Sequence, residues 1–558
     1  MNKTIFIGGA WPYANNSLHL GHIAALLPGD IIARYYRKNG DSVLYVSGTD
    51  CHGTPITLRA KNEGTTPEKI ALSFHEEFAK CFEKLNFSYD SYSLTHNEFH
   101  AEFVKDVIKK LFESDELYQR VESQDFCETC QHFLSDREIE GTCPICGGHA
   151  KGDQCDECLA TFDASKLLNK KCKYCGSPVS KHDNVHLYWK LSKYQERISE
   201  YVNSHKDLWR FSSTNESLKY LANAGLVDRA ITRQLDWGID VPIRGFEDKK
   251  IYVWIEAVLG YISTGIKYCN EHGLNWEDFY KDSSTLDTYY VHGKDNIPFH
   301  TIIFPALLLA LNDAYQLPNH IVSSQFLNID DEKISKSKGN GIAVKDLLED
   351  YSSDSIRYCL TYQAPELKDT NFTPEILEQL HNKSLVGEYG NFVNRNLSFL
   401  VKKFNGIIPS GQIDPDVVSI IKETYSKVAH FIENAELRNA IQEIQQLVRF
   451  SNKYYDEKQP WIQVKQDITE FNSTTATCIA LIINIANLYE PFIPDSSRKV
   501  FDFFGITSPN WEYISIEPGV TLKDVSILFP RIDWYFGSKL KRERSYYLGG
   551  CWKSSTKK

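Results

Sequence analysis

Past its first residue the chain contains no methionine, in a length of 558 residues. Methionine is a common filler of irregular core gaps, so that role falls here to other apolar side chains. Uninterrupted apolar runs long enough to cross a bilayer are also missing, which excludes an integral membrane protein of the helical kind. An apolar strand pattern begins already at Lys3, leaving no room for a signal peptide, so the chain is expected to be cytoplasmic and free of membrane. Positive charge is not in excess: 62 Lys+Arg against 73 Asp+Glu give a formal net charge of −11. That excludes indiscriminate nucleic-acid binding through bulk charge, but not a local basic surface.

Cysteine, by contrast, is plentiful and unevenly placed. Of 14 cysteines, eight form four C-x-x-C pairs: Cys127/Cys130, Cys143/Cys146, Cys155/Cys158 and Cys172/Cys175. With nothing to suggest export, metal binding is favoured over disulfides. The stretch from Cys127 to Cys175 has few large aliphatics and cannot build much core, the usual reason for a metal staple. Eight thiolates make two tetrahedral S4 sites, which suit zinc better than an iron–sulfur cluster. No position is left open for water, so both are read as structural. From the spacing, successive pairs sharing an ion and a nested arrangement both remain open.

Two further stretches carry chemistry. Ile5–His22, IFIGGAWPYANNSLHLGH, reads as a buried strand, a polar turn and the start of a helix. Such a junction presents free N–H groups and the positive end of a dipole above a sheet. His19 and His22, three apart, share one face of the first helical turn, and Gly21 clears a close approach. Far downstream, Lys333-Ile334-Ser335-Lys336-Ser337-Lys338-Gly339-Asn340 offers ammonium groups and hydroxyls to an anion. Between them, Ser42–Ser47 reads as a second buried strand, followed by the loop Gly48-Thr49-Asp50-Cys51-His52-Gly53-Thr54-Pro55. There Asp50 sits where strand ends form a ligand crevice.

Together P-Y-A-N-x-x-L-H-L-G-H and K-I-S-K-S resemble the two signatures of class I aminoacyl-tRNA synthetases, in the right order and separation. The G-T-D-x-H-G-T-P loop, the cysteine knuckles, Y-V-W-x-E-A-V-x-G-Y and H-G-K-D-N-x-x-F-H extend the resemblance to the methionyl-tRNA synthetase family over nearly the whole chain. The family implies ATP with Mg2+, two structural Zn2+ ions, L-methionine, and tRNA(Met) including the initiator. It implies nested cysteines, with Cys143, Cys146, Cys155 and Cys158 on one ion and Cys127, Cys130, Cys172 and Cys175 on another. ATP phosphates would meet His19, Gly21 and His22; Lys333, Ser335 and Lys336 would close over the pyrophosphate; Asp295 and Arg233 would help position the reactants. Methionine would lie among Trp11, Tyr13, Trp254, Ala257, Tyr261 and His300, with Asp50 on its ammonium. Asn391, Arg395 and Trp461 would read the anticodon. Three departures stand in the pocket: Trp11 where leucine is frequent, Val258 for a proline and Asn296 for an isoleucine. An enzyme that charges methionine and contains none beyond Met1 draws on its own product only to initiate its synthesis.

The expected fold is α/β: a split Rossmann-like catalytic domain with parallel sheet, interrupted by a zinc-knuckle insertion and followed by an α-helical bundle for the anticodon. The boundaries expected are 1–115 and 229–325 for the two catalytic halves, 116–228 for the insertion, 326–374 for the lysine-loop stem-contact region, 375–535 for the bundle and 536–558 for a basic tail. Helices are expected over Pro67–Leu85, Glu98–Glu113, Leu187–Tyr201, Ile376–Phe404, Pro415–Asn434, Leu437–Asp456 and Thr475–Leu488. Ile251–Tyr261 reads as a strand turning into a helix. With no appended β-barrel, a monomer is expected.

Overall fold

The computed structural model describes residues 2–134, 138–151, 154–155, 157–158, 166–223, 225–281, 283–312, 314–329, 332–333 and 342–532. It divides into two compact units, one of residues 1–100, 196–225 and 257–558, the other of Ala101–Gln195 and Leu226–Glu256. The lysine-loop residues Ser335 and Lys336 and the basic tail lie outside the described residues.

The first unit is built on a five-stranded parallel sheet. In spatial order its strands are His320–Ser324, Leu286–Gly293, Thr4–Gly9, Ser42–Thr49 and Ser91–Leu94. Numbered along the chain this is 3-2-1-4-5 seen from the other edge, the doubly wound order. Thr4–Gly9 runs in register with both central neighbours, Ile7 facing Tyr45 on one side and Tyr289 on the other. Its Ile5, Phe6 and Ile7 are fully buried, as a strand covered on both faces requires. The order reverses between Thr4–Gly9 and Leu286–Gly293, and the carboxyl ends there are where ligands bind in such sheets.

The helix after the first strand, Leu20–Lys38, has no acidic residue in its first turn and Arg37 and Lys38 in its last. Its positive end is thus left for an anion, while cations complement the other end. Further along, Pro415–Glu433, Leu437–Lys458, Ile468–Tyr489 and Pro494–Phe504 form the expected bundle. Asp467 caps Ile468–Tyr489 by accepting from the N–H groups of Thr469 and Glu470. That 22-residue helix is long and apolar enough to cross a membrane, which the sequence pattern did not suggest, but 89% of its apolar window is buried in the protein. It serves as the core of the bundle.

The second unit is organised by a long antiparallel pair, Leu117–Cys127 with Ser180–Trp189, in unbroken register from Leu117–Trp189 to Phe126–Ser180. This corrects the helix expected over Leu187–Tyr201. The apolar run His186–Trp189 is the buried end of a strand, and the helix begins only at Gln195. Ile251–Tyr261 also differs: Lys250–Ile251 is a two-residue strand, and the Val253–His272 helix takes the rest. Its Val-Trp-Ile start has strand character, but the buried run that follows is continuous from Ile255 to Gly265, too long for an ordinary strand and the length of a buried helix. Ile376–Phe404 is a chain of three helical pieces, Pro374–Leu380, the π-helical His381–Gly390 and Asn391–Phe404.

Candidate active site and metal centres

His19 and His22 sit where the first strand passes into its helix. His19 is the helix N-cap in extended conformation (φ −115°, ψ 166°). Its backbone N–H donates to Nδ1 of His22 at 3.1 Å, and the two ring centroids lie 3.8 Å apart. Because His22 accepts at Nδ1, its neutral ring carries the proton on Nε2. An N–H donor is therefore set at the positive end of a 19-residue helix, beside the switch point of the sheet.

The adjoining strand ends contribute the remaining groups of this unit. Asp50, almost fully buried, directly follows the second strand and pairs by backbone with the Trp11–Tyr13 turn: its N–H donates to Pro12 O at 2.9 Å, and its carbonyl accepts from Ala14 N–H at 2.8 Å. Tyr13 donates its hydroxyl to His52 O at 2.5 Å. Trp11 is held between two glycines. A Cβ on Gly48 would stand 2.5 Å from its indole, and one on Gly260 would stand 2.7 Å from it. Next to Gly260, Tyr261 donates its hydroxyl to Nε2 of His300 at 2.8 Å, and His300 donates from Nδ1 to Asn296 O at 2.9 Å. Burial pushes His300 down to about 4, so it stays neutral as the acceptor for Tyr261. His292, at 0% exposure, stacks on His300 with centroids 4.1 Å apart. Ala257 lies in the same helix as Gly260 and Tyr261, and Asp295 is exposed after the fourth strand. These strand ends thus carry a cluster of aromatic rings and buried imidazoles, with the buried Asp50 carboxylate on the turn that also holds Trp11 and Tyr13.

Of the other expected site residues, Lys333 lies in the short strand Glu332–Lys333, paired by backbone to Asn328. Arg233 and Trp254 belong to the second unit. Arg233 lies over the Tyr252 ring at 4.0 Å and donates to Ala230 O and Thr232 O. Trp254 is in the first turn of Val253–His272 and partly exposed. In the bundle, Arg395 donates to Asp456 and Asn452 at 3.0 Å each and covers the Tyr455 ring at 4.6 Å. Trp461 meets the same ring at 5.5 Å, and Asn391 is exposed one turn before Arg395. Gly48, Gly260 and His292 were not singled out in the sequence. Gly48 and Gly260 lie far from Trp11 along the chain, so no local pattern marks them.

The cysteines gather as two nested sets, Cys127, Cys130, Cys172 and Cys175, and Cys143, Cys146, Cys155 and Cys158. Sulfur–sulfur distances are 3.4 Å (Cys127–Cys175), 3.9 Å (Cys130–Cys172), 3.9 Å (Cys143–Cys158) and 3.5 Å (Cys146–Cys155). Four sulfurs at 2.3 Å from one tetrahedral ion stand about 3.8 Å apart, so both sets fit zinc. Amide N–H groups of Cys158 and Glu157 point at Cys155 and bring its thiol down to about 7. The side chain and amide of Ser177 bring Cys175 down to about 6. Among the described residues the knuckle core consists of Cys127, Leu134, Ile139, Cys143, Ala150, Cys155, Leu167 and Cys172, half of it thiols. A core so thin in hydrocarbon depends on its metal.

A doubly wound sheet with paired imidazoles at the helix terminus of its switch point defines a nucleotide-binding protein of the Rossmann type. The family model described as tRNA synthetases class I (M) matches residues 5–397, and that of the anticodon binding domain of methionyl tRNA ligase matches residues 409–532. The chain belongs to the class I tRNA synthetase (M) family. It is 45% identical over 545 residues to methionine–tRNA ligase 1 of Alkaliphilus oremlandii, covering 98% of this chain and 99% of that one. It is 48% identical over 532 residues to a methionine–tRNA ligase of Bacillus cereus, covering 95% and 97%. Methionyl-tRNA synthetase of Mycobacterium tuberculosis, solved in complex with methionyl-adenylate, superposes with a TM-score of 0.77 at 25% identity, covering 95% of this chain and all of that one.

Proposed function

We propose that this chain works as a methionine–tRNA ligase. In the first step the carboxylate of methionine attacks the α-phosphate of ATP, forming methionyl-adenylate and releasing pyrophosphate. In the second, the 2′-OH of the terminal adenosine of tRNA(Met) attacks the methionyl carbonyl, losing its proton, and AMP leaves. The observation that carries this reading is the His19–His22 pair at the start of the helix that follows the first strand of the doubly wound sheet.

Negative charge builds on phosphate oxygens as the α-phosphate is attacked, so donors fixed in advance are the main source of acceleration. His22, protonated on Nε2, and His19 hold the triphosphate, with Gly21 clearing its approach. Lys333, Ser335 and Lys336 close on the departing pyrophosphate, and Asp295 and Arg233 orient the reactants. Asp50 receives the ammonium of methionine, while Trp11, Tyr13, Trp254, Ala257, Tyr261 and His300 surround the side chain. Aromatic rings are favourable neighbours for a polarizable thioether. Mg2+ would neutralise charge on the ATP phosphates. The two cysteine sets would each hold one structural Zn2+. Asn391, Arg395 and Trp461 read the anticodon of elongator and initiator tRNA(Met), and the enzyme acts as a cytoplasmic monomer.

ATP–pyrophosphate exchange with each amino acid in turn tests the reading. Exchange with methionine alone, followed by charging of tRNA(Met), is expected. Exchange driven by leucine, isoleucine, valine or cysteine and not by methionine overturns it. Sedimentation at twice the chain mass overturns the monomer.

A further inference from the structure

The reaction above gives no role to His292. It belongs to the strand Leu286–Gly293 at the point where that strand outruns the first: Val291 still pairs with Gly9, and His292 lies one residue beyond. That places it at the carboxyl end of the sheet's switch point. Its imidazole is fully buried and lies flat on that of His300, with centroids 4.1 Å apart and planes inclined by 13°. Each ring is clipped to a backbone carbonyl close by in the chain. His292 donates from Nδ1 to Gly293 O at 2.8 Å, as His300 donates from Nδ1 to Asn296 O at 2.9 Å. Burial pushes both imidazoles below the ordinary histidine value, so the two rings stack neutral and in the same tautomer.

The two rings differ in their remaining nitrogen. In His300, Nε2 accepts the Tyr261 hydroxyl at 2.8 Å. In His292 the equivalent Nε2 is buried with no partner among the described residues. An acceptor stranded in this way costs stability, and a phenyl ring would fill the same space without that cost. Packing therefore does not account for an imidazole here. What a phenyl ring cannot do is bond to Gly293 O, and that bond sets the plane against which His300 lies. His300 itself stands on a π-helical turn, Phe299–Ile303, a rare geometry that is frequent at functional sites. The short turn Lys294–Asn296 between the two histidines is held separately, by Lys294 on Asp369 at 2.8 Å and over the Phe326 ring at 3.8 Å. The stack thus governs the ring of His300 rather than the turn that carries Asp295.

We propose that His292 is a positioning residue for methionine binding: its clipped ring fixes the plane of His300, and through it the Tyr261–His300 hydrogen bond that shapes one wall of the methionine pocket. This rests on Tyr261 and His300 surrounding the methionine side chain as proposed above.

The test uses the full-length protein in methionine-dependent ATP–pyrophosphate exchange, with KM for methionine and for ATP measured separately. His292→Leu removes ring and clip. It should raise KM for methionine about five- to tenfold, with kcat and KM for ATP within about twofold of the parent. His292→Phe keeps a ring but loses the clip and the stranded nitrogen. It should raise KM for methionine about two- to fourfold while its urea midpoint stays at or above that of the parent. A merely structural residue would give the reverse, a lowered midpoint with KM unchanged. Adding His292→Leu to Tyr261→Phe should raise KM far less than His292→Leu does alone, because the bond it acts through is already gone. A parent-like KM for methionine in His292→Leu, a lowered midpoint in His292→Phe, or effects that multiply in the double variant overturns the proposal. A parent protein with no methionine-dependent exchange would instead overturn the enzyme reading itself.

Discussion

Asp30→Asn is the substitution whose consequence the structure defines most closely. Asp30 is fully buried in the Leu20–Lys38 helix and has four partners: Arg34 at 2.9 Å, Arg357 at 2.7 Å, and Ser88 through its N–H at 2.6 Å and its hydroxyl at 2.7 Å. Arg357, also fully buried, spends its other donors on Phe492 O, Leu85 O and Pro491 O, tying the sheet's first helix to the loop before Pro494–Phe504. Burial alone would raise the Asp30 carboxyl, but Arg34 and Arg357 beside it and the Ser88 bonds bring it from 3.8 down to about 2. A shift of nearly two units corresponds to about 2 kcal/mol. Because the folded pKa is the lower one, this stability is present above about pH 4 and is lost as the pH falls from there through about 2. Neutralising the carboxylate does more than cancel that figure, since it strands a buried guanidinium, for which about 3–5 kcal/mol is the usual loss. Urea unfolding followed by tryptophan fluorescence should show a loss of that size at pH 7, shrinking between pH 4 and pH 2. Asp30 is eight residues, about 12 Å, beyond His22 along the helix, so ATP–pyrophosphate exchange by the still-folded variant should survive. A loss under about 1 kcal/mol at pH 7, or an unchanged acid limb, would refute the reasoning.

Other outcomes follow from the site. Metal analysis should find two zinc ions per chain, reduced to one by either Cys143→Ser or Cys127→Ser; full occupancy in both variants would contradict the nested sets. Gly260→Ala drives a Cβ to 2.7 Å from the Trp11 indole, so a loss of about 1–3 kcal/mol and a raised KM for methionine are expected, measured by unfolding and exchange assays. His300 is held neutral by burial, with its pKa down to about 4, as is His100 at about 3. Their contribution is complete above about pH 6.5 and is lost as the pH falls toward 4. His300→Gln should therefore flatten part of the fall in unfolding midpoint over that range.

How much was legible in the sequence follows from what each feature depends on. The strand Thr4–Gly9 and the helix after it were readable because apolar run, polar turn and helical start agree locally. The sheet order became visible only once Leu286–Gly293 was seen beside the first strand, a pairing that local pattern does not encode. The strand ending at Trp189 was misread because a buried strand end and a helix segment both present continuous apolar residues. The nested cysteine grouping depended on resemblance, since spacing allows either pairing. Gly48 and Gly260 acquire meaning only from the indole lodged between them, which is tertiary information. The Asp30–Arg357 pair joins residues more than three hundred positions apart and leaves no local trace.

For adenylate formation as proposed, imidazoles near the beginning of the chain and ammonium groups of the lysine loop must act on one triphosphate. Single-turnover formation of methionyl-adenylate in His22→Ala, Lys336→Ala and the double variant measures this directly. The expected result is a rate lowered about 10²- to 10³-fold in each single variant, with methionine affinity retained and a non-additive loss in the double. Adenylate formation at the parent rate in either single variant would contradict it.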